Sequence, residues 1–124
     1  MIDLIGKINE AEISDASKAT YRKISRALIK SSVGLKGKDT LEMALSKGGW
    51  KNENEALYEI IQDIDEYQPM ISNGSNMKAL NIYYNTIRAL IKHSGDSKLK
   101  QMKGEWDLYA NEIDDQIREQ TDNR

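Results

Sequence analysis

The chain is predicted to be all-α, a single helical bundle of about five to six helices, and three observations lead there. Strand formers are scarce: valine occurs once (Val33), phenylalanine is absent and threonine is rare, while alanine, leucine, isoleucine, lysine and glutamate abound. Apolar residues recur at three- and four-residue steps over most of the 124 positions. Glycines and cap-forming residues punctuate those periodic stretches at helix-like intervals.

Taken in order, Ile2, Ile5 and Ile8 suggest a short N-terminal helix. Segment 16–32 carries Tyr21, Ile24, Ala27 and Leu28 on one face, with Ser14 or Asp15 as cap and Gly34 as stop. Segment 39–47 opens with Asp39 and Glu42 in capping-box spacing, buries Leu41, Ala44 and Leu45, and ends at Gly48-Gly49. Segment 52–67 starts at Asn52, with Glu55 in the same cap spacing. Its stripe is Leu57, Ile60, Ile61 and Ile64. Gln68-Pro69 is expected to end that helix, and 68–75 reads as the main connector. Segment 76–93 carries Leu80, Tyr84, Ile87 and Ile91 and stops at Gly95. A last helix is expected over 97–119, because Leu99, Met102, Trp106, Tyr109, Ile113 and Ile117 stay in phase through Gly104. Residues 120–124 read as a disordered tail.

The halves share a pattern. Tyr21 begins a run containing Arg26-Ala27-Leu28-Ile29-Lys30 and ending in Ser32; Tyr83 begins one containing Arg88-Ala89-Leu90-Ile91-Lys92 and ending in Ser94. Each is followed by a Lys-Gly-x-Trp string, Lys47 to Trp50 and Lys103 to Trp106, and then by acidic residues around an isoleucine stripe. Repeats of this kind point to internal duplication, with units over about 14–67 and 76–119 inside one domain of residues 1–124. In-phase placement predicts that both tryptophans are core residues, and that only one of Tyr83 and Tyr84 is.

A net charge of −2 hides segregation. Residues 18–51 carry +7, 52–77 carry −6, 78–103 carry +5 and 104–124 carry −5. Lys18, Arg22, Arg26 and Lys30 recur every four residues as a basic ridge, and Arg88 and Lys92 repeat its end. Two readings follow: basic and acidic helices pair with each other, or the ridge binds phosphates. The mild overall acidity favours the first. Ser17-Lys18-Ala19-Thr20-Tyr21 running into Ile24 and Leu28 resembles a helix of the DNA-binding core domain of tyrosine recombinases. The catalytic set of that family has no counterpart, since His93 lacks an arginine three residues later.

Chemistry-bearing motifs are few. There is no cysteine, which removes thiolate ligands and disulfides, and one histidine, His93, whose place suits a helix C-terminus. Asp63/Asp65/Glu66 and Asp114/Asp115 lack metal-site spacing, and Gly34 to Thr40 lacks the phosphate-loop order. No catalytic residue, metal or cofactor is therefore assigned. The expectation is a cytoplasmic, non-catalytic helical protein that acts through protein contacts, such as an inhibitor, immunity-type factor, adaptor or assembly subunit. A DNA- or RNA-binding regulator using the ridge is the alternative. No membrane partner is expected, and homo-oligomers are compatible with exposed stripe residues.

Overall fold

A computed structural model describes residues 3–73 and 75–122, without the side chains of 120–122. Ile2, Gly74 and the two last tail residues lie outside the described residues. Seven helices are present among them: α1 (Leu4–Glu10), α2 (Asp15–Ser32), α3 (Leu41–Gly48), α4 (Glu53–Gln62), α5 (Ile64–Ser72), α6 (Met77–Ser94) and α7 (Ser97–Asp122). None is long and apolar enough to cross a membrane.

Caps explain most boundaries. The side chains of Asp3, Ser14, Asn52 and Asn76 accept from the amides of Gly6, Ser17, Glu55 and Ala79, each satisfying a donor that the first turn leaves orphaned. α3 corrects an expectation: Thr40, not Asp39, is the cap, accepting from Met43 N. Asp39 is committed elsewhere, its carboxylate accepting from Lys36 N at 3.1 Å and closing the preceding loop. At the other ends, Gly34, Gly49 and Gly95 take positive φ of 76°, 72° and 69°, which L side chains adopt only at a cost.

The largest departure lies in the middle. The 52–67 helix is split at Asp63, whose φ of −110° and ψ of 66° turn the chain, and Pro69 sits inside α5 instead of ending a helix. Proline is tolerated there because the bond it forgoes is to the carbonyl of Asp65, an exposed first-turn residue that water can reach. Ile64, Tyr67 and Ile71 then form the inner face of α5. Ile71, expected in the connector, is fully buried, and the connector shrinks to the residues between Ser72 and Met77.

One hydrophobic cluster joins residues from all seven helices, from Leu4 and Ile8 of α1 to Ala110 and Ile113 of α7. α6 and α7 form the most extensive helix pair, α2 packs against α1 and α3 to α6, and α4 bridges α2 and α7. Both tryptophans are buried, and Tyr84 is the core member of its tyrosine pair while Tyr83 is half-buried. Trp106 forms a triangle of rings with Tyr84 and Tyr109, at centroid distances of 6.1 and 6.5 Å from them, and its indole N–H donates to the Ile61 carbonyl at 2.9 Å. That bond satisfies one of the carbonyls that the end of α4 leaves unpaired. α1 is tied down by Asn54, which accepts from Ile5 N and donates to the Asp3 carboxylate.

Two glycines give opposite expectations. A Cβ on Gly48 would run into the Trp50 ring, whereas one on Gly104, inside α7, meets nothing within 4 Å. Gly104→Ala should therefore stabilise the protein by about 0.5–1 kcal/mol, since alanine removes the entropy cost of a mid-helix glycine. Gly48→Ala should destabilise it, and paired urea denaturation curves check both signs.

Candidate binding surfaces

The basic ridge is divided by the fold. Arg26 Nε lies 3.2 Å from Glu53 Oε1 at the start of α4, and Arg88 Nε lies 2.9 Å from Asp107 Oδ1 on α7. Lys103 reaches the other Asp107 oxygen at 3.1 Å. Asp107 Oδ1 accepts no aligned hydrogen bond, so its attraction to Arg88 is chiefly coulombic. Lys30 Nζ donates to the Asp39 carbonyl at 3.3 Å. Two of the six ridge residues thus meet a carboxylate and a third a backbone carbonyl. Arg22 and Lys92 are exposed and Lys18 is half-buried.

Arg22, Arg26 and Lys30 lie along the exposed face of α2. Ala19, Arg22, Lys23, Arg26, Ala27 and Lys30 line a depression of about 490 Å³ along α2. A second one of about 310 Å³ shares Ala27 and Lys30 and runs past Lys36 and Gly37 to Ser75 and Tyr83. No carboxylate lines either, among the described residues. Lys18, Arg88 and Lys92 lie outside both linings, so the structure does not gather the six ridge residues around one groove.

An opposite surface was not singled out by sequence. Between α5 and α7, Ile64, Asp65, Glu105, Leu108, Tyr109 and Glu112 line a cleft of about 180 Å³. Tyr109 and Glu112 continue into a neighbouring one of about 240 Å³ beside Gln68 and Tyr84. Leu108 is 71% exposed, the most exposed of the large apolar residues described. Its signal in the sequence was its phase: it stands one residue before Tyr109, off the buried stripe, on an otherwise polar face.

Acidic residues around α4 and α5 take part in local bonds. Glu59 accepts from Trp50 Nε1 at 2.6 Å and from Tyr67 OH at 3.0 Å, bracing α4 against α5 and the α3–α4 loop. Among the described residues, no group of three histidine or acidic side chains is placed to hold a metal ion. Glu66 shares a hydrogen bond with Asp63, and the neighbouring carboxylates push its own pKa up. Burial raises the Tyr67 phenol, and the hydrogen bond to Glu59 and the charges of Glu59, Glu66 and Asp63 raise it further.

A phenol with a raised folded pKa contributes stability that is complete below its unfolded value, near 10, and lost as pH rises beyond it. Tyr84, raised by burial, acts in the same sense. Stability should therefore fall above pH 10. Tyr67→Phe should flatten that fall, as thermal melts taken between pH 9 and 11 would register.

With both surfaces described, the chain can be compared with known proteins. No family model, no curated protein and no solved structure matches it.

Proposed function

We propose that the chain is a non-catalytic helical binding protein that acts through protein contacts, its partner presenting a basic, amphipathic helix to the cleft between α5 and α7. The observation that supports this reading is Leu108, a large apolar side chain 71% exposed on α7 and flanked by Glu105 and Glu112, with Asp65 facing them from α5. Ile64 and Tyr109 supply apolar floor beside it. A helix laid in such a cleft covers Leu108 with its apolar face and meets the carboxylates with lysine or arginine at the rim. The apolar contact supplies affinity, and the charges supply orientation and fast encounter. An inhibitor, immunity-type factor, adaptor or assembly subunit would use a surface of this kind. The absence of cysteine suits a reducing, cytoplasmic setting.

Internal duplication is part of the same proposal. Matching Tyr21 with Tyr83 pairs Leu28 with Leu90, Ile29 with Ile91 and Ser32 with Ser94, all buried. Ser32 Oγ donates to the Ile29 carbonyl at 2.7 Å and Ser94 Oγ to the Ile91 carbonyl at 2.8 Å, the same closing bond twice. Arg26 and Arg88 also correspond, and each meets a carboxylate just after its own unit's tryptophan. The units differ where α3 and α4 stand against the unbroken α7.

The test uses an 18-residue lysine–leucine peptide of amphipathic helical pattern, with a scrambled isomer of equal charge. Chemical-shift changes on adding the amphipathic peptide should cluster on Ile64, Leu108 and Tyr109, and should vanish in Leu108→Asp and in Glu105→Lys/Glu112→Lys. Equal response to the scrambled peptide, or shifts centred elsewhere, would remove the cleft from the account.

A further inference from the structure

The groove along α2 carries the opposite charge and is independent of the acidic cleft. From Ala19 to Lys30 it extends about 17 Å, at ~1.5 Å per residue of helix. Its lining is one exposed face of α2, with Arg22, Lys23, Arg26 and Lys30 set among the small side chains of Ala19 and Ala27, and no carboxylate lines it among the described residues. At Lys30 it joins the second depression, whose lining includes Lys36 and the half-buried Tyr83, packed against the core on its inner side. Arg26 remains 62% exposed despite its contact with Glu53, so its guanidinium still faces solvent at the groove edge.

We propose that this basic face of α2 binds single-stranded nucleic acid, with Arg22, Lys23, Arg26 and Lys30 following the phosphates and the open edge of Tyr83 receiving a base. Row-wise cations neutralise a polyanion and release its counterions, and an aromatic ring at the end of such a row is the feature that distinguishes strand binding from plain anion attraction. A duplex fits less well. Readout in a major groove requires a helix or ribbon that projects into a channel ~8.5 Å deep. α2 is embedded against α1 and α3 to α6 and offers solvent a single stripe. A flexible strand can lie along that stripe.

Fluorescence anisotropy of the full chain with labelled dT12 and rU12, and with a 12-base-pair duplex, tests the proposal and separates the two single-strand chemistries. Binding should weaken with a log–log salt slope of about −3, from ~0.7 per phosphate over four phosphates, or roughly 50-fold between 50 and 200 mM salt. Arg22→Glu/Lys23→Glu should weaken it at least tenfold with an unchanged melting curve, because both residues are exposed. Tyr83→Leu should weaken it about fivefold or more at constant salt slope. Glu53→Gln, which frees Arg26, should tighten it. Failure of both single strands to bind, tighter binding of the duplex, or unchanged affinity in the Arg22/Lys23 double variant would overturn the proposal.

Discussion

Trp106→Ala should be the most destabilising single substitution of those considered, at about 3–5 kcal/mol for emptying a large, fully enclosed aromatic site. The residue is wholly buried against Tyr84 and Tyr109, which also contact each other, so truncation opens a void bordered by rings that cannot collapse into it without leaving their own contacts. It also removes the donor to the Ile61 carbonyl at the end of α4, the one hydrogen bond that links the tryptophan of α7 to the first half of the chain. Trp106→Phe separates the two effects. It keeps most of the ring volume but leaves the carbonyl unpaired, and should cost about 1–3 kcal/mol. Urea denaturation followed by far-ultraviolet circular dichroism gives both values. A loss below 1 kcal/mol for the alanine variant would contradict the packing described.

Glu59→Ala should cost about 2–3 kcal/mol, although Glu59 itself is exposed, because the loss falls on its partners. Trp50 and Tyr67 are 5% and 7% exposed, and both direct their only polar atom at this carboxylate. Removing it leaves two donors without a protein acceptor, which only water entering from the exposed Glu59 position can partly replace. Glu59→Gln retains one carbonyl acceptor and should cost roughly half as much, within the range for one unmade bond. The indole N–H resonance of Trp50 provides a direct readout. It should lie downfield in the native protein, as its 2.6 Å contact requires, and return to an ordinary position in Glu59→Ala. An unmoved resonance would show that the clamp is not made in solution.

These effects concern a fold whose outline was legible in the sequence for identifiable reasons. α2, α6 and α7 combine a periodic apolar face with a cap or stop at a fixed offset, and each signal supports the others. The start of α3 was misread by one residue because Asp39 and Thr40 are both good caps, and only the loop bond to Lys36 decides between them. The break at Asp63 was hidden because the apolar stripe keeps phase across it, from Ile60 and Ile64 to Tyr67 and Ile71, with no glycine at the joint. Pro69 then drew the expected boundary too far along. Its missing donor matters little where the facing carbonyl is exposed.

The surfaces divide in the same way. Four-residue spacing was enough to place Arg22, Arg26 and Lys30 on one face of α2, since periodicity fixes direction around a helix. It could not say that Arg26 meets Glu53 or that Arg88 meets Asp107, because those pairings depend on how α4 and α7 dock. The acidic cleft needed tertiary structure altogether. Asp65 and Glu105 stand forty residues apart in the chain and share a wall only once α5 lies beside α7.

Site-specific photocrosslinking in the source cell tests whether the α5–α7 cleft docks a protein. A diazirine amino acid would replace Leu108 in one variant and Ile82, another exposed apolar residue at 40%, in a second. The Leu108 variant should give a discrete adduct whose crosslinked peptide is a lysine- or arginine-rich amphipathic helix, and Glu105→Lys/Glu112→Lys should abolish it. The Ile82 variant should give none. No adduct from Leu108, the same adduct from Ile82, or a crosslinked peptide without basic amphipathic character would contradict the proposal.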